Sequence, residues 1–211
     1  TSGSIYQSSP TIGYDGTVYI ESADDNYVYA LDGQNGTLRW IYQTHSEIQS
    51  SSPTIGIDGA TIYLGSYGGN VYALDAQTGH LKWNFTTGYN VITFSPAIDH
   101  DGTIYIGSWD SYVYALDGQT GSLKWKYQTS GSIYYSSPAI GTDGTIYIGS
   151  YDTNIYALDS ETGYLKWRYQ IGSNVRSSPA IGSDGTVYIT SVDDYNVYAL
   201  DGQRGTLKWK Y

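Results

Sequence analysis

The side chains in this sequence that could do chemistry are acidic, hydroxylic and aromatic. Asp32, Asp75, Asp117, Asp159 and Asp201 recur in one local pattern and could be read as a ring of general bases. Their sameness argues otherwise, because a side chain that caps its own turn is needed identically in every copy. Asp24-Asp25 and Asp193-Asp194 are adjacent acids. Neighbours in sequence seldom face one another, so solvated turns fit them better than a catalytic pair. Asp99-His100-Asp101-Gly102 has a trace of a calcium loop, but its Gly comes too early for one. His45, His80 and His100 show no metal-ligand spacing. No Ser stands in a nucleophile elbow. The chain has no Cys, which removes thiolate metal sites, disulfides and cysteine nucleophiles together. A chain without catalytic residues, metal or cofactor is expected.

The aromatic residues carry the sharper signal. Tyr67, Trp109 and Tyr151 follow the same short run in three successive stretches of the chain. Flat rings beside Asp and Asn suit sugar stacking, and Tyr and Trp also anchor protein partners. Such rings equally well pack on a neighbouring loop. Arg176 is the only basic residue outside the last strand of a unit and its turn, so it could hold an anionic group or pair with a local acid. Just before recurrent Ser-Pro steps stand Gln7, Ser50, Thr93, Tyr135 and Arg176, which differ from copy to copy.

These residues are positioned by a repeat. Ser-Pro recurs at Pro10, Pro53, Pro96, Pro138 and Pro179, and Asp-Gly follows each at Gly16, Gly59, Gly102, Gly144 and Gly185. Ala-Leu-Asp comes next, and Trp40, Trp83, Trp125, Trp167 and Trp209 close the units. Five units tile the chain as 1–43, 44–86, 87–128, 129–170 and 171–211, with no linker, so a single domain over 1–211 is expected. Each unit reads as four short strands. Asp-Gly between β-branched and aromatic runs is a hairpin signal. The second and third runs are almost continuously apolar, as in sheets covered on both faces. The last alternates, so that Lys124 and Lys126 are expected to point away from Leu123, Trp125 and Tyr127 on an outer strand. Four antiparallel strands per unit of this length describe a β-propeller blade, and the fold class is all-β, a five-bladed propeller.

The run Ala73-Leu74-Asp75-Ala76-Gln77-Thr78-Gly79-His80-Leu81-Lys82-Trp83 resembles the tryptophan-docking motif of the pyrroloquinoline-quinone-type propeller repeat. It recurs at 115–125 and 157–167, and departs at Asn35 and Arg204 in the outer units. The resemblance implies that each Trp packs on the motif of a neighbouring blade. It also implies relatives among quinoprotein dehydrogenases and the propeller lipoprotein of the outer-membrane assembly machinery, and so favours a cell-envelope or extracellular location. The dehydrogenases use more blades, a Cys pair and a calcium-bound carboxylate, none of which this sequence repeats. Fold alone does not assign activity.

Strand order puts the Asp-Gly and Asp-x-x-Thr-Gly turns on one face and the divergent loops on the other. Any ligand is expected on the divergent face, with Tyr135 and Arg176 near the mouth of a central channel and Tyr67, Trp109 and Tyr151 farther out. The reading is a non-catalytic binding or scaffold module, with a lectin-like carbohydrate binder, a quinoprotein fragment, or an amplified or engineered repeat without a ligand as rivals. A protein or a carbohydrate is the expected partner. The net charge of −10 argues against nucleic acid, and no apolar run is long enough to span a bilayer. Thr1–Ile5 matches Thr129–Ile133, the start of a unit, so blades five and one are expected to close by side-chain packing in a monomer.

Overall fold

The structure, a computed structural model, describes residues 8–22, 25–48, 51–88 and 95–211. Within them lie twenty short strands and no helix. The first blade comprises β1 (Thr11–Ile12), β2 (Thr17–Ser22), β3 (Tyr27–Asp32) and β4 (Leu38–Gln43). The second comprises β5 (Thr54–Ile55), β6 (Thr61–Gly65), β7 (Asn70–Asp75) and β8 (Leu81–Thr86). The third comprises β9 (Ala97–Ile98), β10 (Thr103–Gly107), β11 (Tyr112–Asp117) and β12 (Leu123–Gln128). The fourth comprises β13 (Ala139–Ile140), β14 (Thr145–Gly149), β15 (Asn154–Asp159) and β16 (Leu165–Gln170). The fifth comprises β17 (Ala180–Ile181), β18 (Thr186–Thr190), β19 (Val197–Asp201) and β20 (Leu207–Lys210). Each blade is a separate antiparallel sheet whose four strands lie side by side in sequence order.

The turns are built by carboxylates. Between β13 and β14, Asp143 accepts the Thr145 amide at 3.1 Å and the Thr145 hydroxyl at 2.9 Å. Between β11 and β12, Asp117 Oδ1 accepts the amides of Gln119 (3.1 Å) and Thr120 (2.7 Å) and the Thr120 hydroxyl (2.8 Å). The Thr120 hydroxyl and amide hold the Asp117 carboxyl below its ordinary range. In the outer blades the hydroxyl is lost and two amide bonds remain, to Asp32 from Gln34 and Asn35 and to Asp201 from Gln203 and Arg204. These acids are occupied as turn acceptors.

Blades stack face to face through one repeated contact. Trp40 Nε1 and the Tyr19 hydroxyl of blade one both donate to the Ala76 carbonyl of blade two, each at 3.0 Å. Tyr63 and Trp83 converge likewise on Gly118 O, Tyr105 and Trp125 on Ser160 O, and Tyr147 and Trp167 on Gly202 O. The indole lies flat on a glycine. A Cβ added at Gly79 would sit 2.6 Å from the Trp40 ring, and Gly121, Gly163 and Gly205 are equally close to the next three indoles. Between the sheets Val28, Ile62, Leu64 and Leu74 are fully buried, as are Ile104, Ile106 and Leu116 of blade three and Ile146, Ile148 and Leu158 of blade four.

Two expectations are corrected. Blade five does not close on blade one. Trp209 is 47% exposed where Trp40 and Trp167 are 9%, and nothing lies within 4 Å of the space above Gly36. Four interfaces of this geometry do not turn the chain far enough to bring its end faces together. Thr1–Ile5, on which that closure was also read, lies outside the described residues. On the outer strands, a register shift between Ala115 and Leu116 breaks the simple alternation. Leu123 is consequently 44% exposed, while Lys124 turns back to Asp101 (3.1 Å) and the Thr103 hydroxyl (2.5 Å).

One residue departs from the repeat inside the core. Glu21 takes the place of Gly65, Gly107 and Gly149, and is fully buried with neither carboxylate oxygen hydrogen-bonded among the described residues. At Gly107 and Gly149 an added Cβ would press on Ile133 and Val175 of the next blade, so this position faces an apolar interface. Burial pushes the Glu21 carboxyl well above its ordinary range.

Two outcomes follow from this packing. Trp125→Ala removes a docked indole and its hydrogen bond and is expected to cost about 3–5 kcal/mol, whereas Trp209→Ala costs well under 1 kcal/mol in the isolated chain. Denaturant midpoints of the two variants check this. Glu21→Gly is expected to stabilise the chain by about 1–3 kcal/mol at neutral pH. Because the folded-state value is raised, the pH-dependent part of the Glu21 penalty is absent while it is protonated in both states, and the cost of burying the neutral carboxyl remains. Its penalty grows as pH climbs past the unfolded value near 4.5. In urea titrations the two proteins should therefore differ least below about pH 4, and the gap should widen above it.

Candidate functional site

In blades three and four the loop between the second and third strands is held at its base by an Asp. Asp110 accepts the Tyr112 amide (3.1 Å) and, at its other oxygen, the Tyr114 hydroxyl (2.5 Å) and the Gly88 amide (2.9 Å). Asp152 repeats this with Asn154, Tyr156 and Ser130. These loops are thereby rigid platforms that also tie down the preceding blade-to-blade connection. Adjacent loops interlock as well: the Ser132 hydroxyl donates to Trp109 O at 2.9 Å, and the Tyr151 amide donates to Ser132 O at 2.9 Å.

On this platform stands a continuous run of rings. Tyr67 meets Trp109 edge-on at 5.8 Å between centroids, and Trp109 meets Tyr134 at 4.5 Å. Tyr134 in turn meets Tyr151 at 5.2 Å and Tyr135 at 3.7 Å. The Arg176 guanidinium lies 5.1 Å from the Tyr151 ring centroid and 6.0 Å from that of Tyr134, within cation–π reach. The Tyr134 hydroxyl donates to Tyr135 Oη at 2.7 Å. Burial among the rings, with that bond, pushes Tyr134 up to about 12, so it stays a neutral phenol at physiological pH. Among the described residues Arg176 has no carboxylate within ion-pair distance and is exposed. The Trp109 indole N–H is buried without an acceptor among the described residues. Trp109, Ser132, Tyr134 and Tyr151 line a depression of 270 Å³. Tyr135 holds a backbone φ of 65°, a left-handed conformation uncommon for a bulky residue.

The structure thus joins two groups that the sequence reading kept apart. Tyr135 and Arg176 were expected near a channel mouth and the other three farther out, but all five meet through Tyr134. Tyr134 was missed; the doubled Tyr134-Tyr135 beside a variable position was the available signal. Gln7, Ser50, Thr93 and Asp24 lie outside the described residues.

Two larger clefts, 410 and 350 Å³, open on the turn face between blades four and five and between blades two and three. Their walls are repeat residues, such as Asp143, Asp184 and Lys208 in one and Asp58, Asp101 and Lys82 in the other. The Thr186 hydroxyl and amide, with Lys208 beside them, hold Asp184 at about 2, the state of a turn acceptor. Among the described residues no three His, Cys, Asp or Glu side chains are grouped to hold a metal.

Five four-stranded blades joined by docked indoles define a β-propeller of the quinoprotein-type repeat. A family model described as outer membrane protein assembly factor BamB matches residues 6–108 and again 109–211, and the chain belongs to this family. No curated protein matches it. Among solved structures, BamB from Moraxella catarrhalis superposes with a TM-score of 0.81 at 23% identity, over 97% of this chain and 61% of that one. Quinohemoprotein alcohol dehydrogenase from Comamonas testosteroni superposes with a TM-score of 0.77 at 17% identity, over 99% of this chain and 43% of that one. Both likenesses are of fold, and the chain spans less than two thirds of either protein.

Trp109 belongs to loops rather than to the docked set. Trp109→Ala is expected to lose about 1–2 kcal/mol, less than half the loss for Trp125→Ala. Equal denaturant midpoints for the two variants would place Trp109 in the core instead.

Proposed function

We propose that this chain is a non-catalytic protein-binding module of the cell envelope, and that it holds its partner on the aromatic loop face. The observation that carries this reading is the unbroken contact from Tyr67 through Trp109, Tyr134 and Tyr151 to Arg176. Tyr, Trp and Arg are the side chains in which protein interfaces concentrate their binding energy. A rigid base lowers the ordering cost of binding. Membership of the BamB family supports a place in outer-membrane assembly. Sugar stacking is served less well, because successive rings are inclined by 56–81° and offer ridges rather than a flat platform. The rings suit apolar side chains entering between them, with Arg176 taking a carboxylate.

Quinone chemistry is not supported by the residues present. The sequence contains no Cys for a stacked pair, and the recurrent acids Asp117 and Asp159 are spent on turns. The dehydrogenase resemblance is therefore read as shared architecture.

The test is chemical-shift mapping with a panel of aromatic–acidic peptides and a panel of glycans. Peptides are expected to move the Trp109 indole N–H resonance, and Arg176→Ala to weaken acidic peptides by about tenfold, the equivalent of 1.4 kcal/mol. Glycan binding with no response to peptides would replace this reading by the carbohydrate one. Shifts confined to the Asp-Gly turns would refute the face.

A further inference from the structure

The depression walled by Trp109, Tyr134 and Tyr151 measures 270 Å³, less than the roughly 300–1,000 Å³ that encloses a whole small ligand. It has room for one large side chain. Its walls are inclined by 56° between Trp109 and Tyr134 and by 81° between Tyr134 and Tyr151, so an entering group meets ring faces and ring edges together. A cation stands at the rim. The Arg176 guanidinium is 5.1 Å from the centroid of Tyr151, itself one of the walls. Among the described residues the guanidinium makes no hydrogen bond or ion pair, and its attraction to the rings leaves its N–H donors for a ligand. On a chain of net charge −10 it takes one carboxylate better than a run of acids, which the rest of the surface repels.

Charge and cup therefore lie within reach of a single residue. In an extended segment an acid next to the apolar residue is turned to the opposite face, and one two residues away is displaced by about 6–7 Å along the strand. Only the last residue of a chain carries its side chain and a carboxylate on the same Cα. We propose, resting on the protein-binding reading, that this site captures the free C-terminus of a partner polypeptide. The last side chain, large and apolar, enters among the three rings, and its α-carboxylate pairs with Arg176. The residues before it run across Trp109 toward Tyr67, whose ring meets Trp109 at 5.8 Å and continues the apolar surface beyond the cup. A free small acid would leave Tyr67 uncovered, so the end of a polypeptide is the better fit. The bound chain has one direction, with its carboxyl end toward the connection that leads into β17.

Chemical-shift titration of the 211-residue chain with three N-acetylated pentapeptides tests the proposal. They are Ser-Gly-Ser-Gly-Leu as the free acid, the same peptide amidated, and amidated Ser-Leu-Gly-Asp-Gly, which carries its one negative charge on a side chain. The free acid is expected to move the Trp109 indole N–H and Arg176 Nε–H resonances and to bind about tenfold more tightly than either amide. Arg176 is exposed, so Arg176→Gln spares the fold and should abolish that preference, while Arg176→Lys keeps part of it. Equal binding of the free acid and its amide overturns the proposal, as does a preference for the side-chain acid. In both cases peptide binding itself leaves the protein-binding reading standing. A preference that survives in Arg176→Gln also overturns it. N-acetyl-leucine binding as tightly as the free-acid pentapeptide overturns the end of a polypeptide as the ligand. Silence from every probe overturns the proposal too, and the broader reading falls with it only where the aromatic–acidic peptides are silent as well.

Discussion

The architecture depends on an indole lying against a backbone that has no side chain. A Cβ at Gly79, Gly121, Gly163 or Gly205 would come within 2.7 Å of the docked ring, so only glycine allows the sheets their observed spacing. The same glycine turn presents the carbonyl that takes both the indole N–H and the hydroxyl of the inner Tyr. Apolar burial between blades is non-directional, but two converging donors set where one sheet sits on the next. The Asp-x-x-Thr-Gly turn is therefore half of the interface as well as a reversal of the chain. This explains why its carboxylate is committed to amides and not to chemistry.

Because each interface involves only neighbouring blades, the fold is a linear array bent into an arc. Energetics of that kind approach a sum over units and contacts, and the end units are the atypical ones. Blade one shows this twice. It has an uncovered face, and it carries Glu21 where three other blades have glycine. A buried, unpaired carboxyl in an apolar seam opposes folding, and the surrounding packing tolerates it in its neutral form. The strained backbone of Tyr135 is the comparable departure on the loop face. The repeated positions obey local rules, and exceptions gather at ends and at the candidate site.

A fold shared by an assembly factor and a dehydrogenase leaves function to what is grafted on it. Here the graft is a set of loops whose bases are fixed by Asp110 and Asp152 and whose tips differ from blade to blade. The turn face has the larger clefts, yet their walls are residues that the repeat requires in any case. A distinctive surface arises only where the repeat makes no demand. Tyr67, Trp109 and Tyr151 are readable in sequence for that reason, since variation among otherwise equal copies marks them.

The sequence by itself determined the blades, because everything inside a blade is local. Alternating apolar runs, Asp-Gly turns and the spacing from Asp to Trp act over a few residues, and they lead to five four-stranded sheets. The tertiary structure alone decided three further matters. It brought Arg176 to Tyr151 and made Tyr134 the hub between them, a contact across blades that no local pattern encodes. It sealed Glu21 in an apolar seam, because burial there depends on the neighbouring blade. And it left Trp209 and Gly36 apart, since closure depends on the rotation between blades summed around the arc. A unit's sequence specifies the contact it can make, whereas the accumulated angle decides whether the last unit finds a partner.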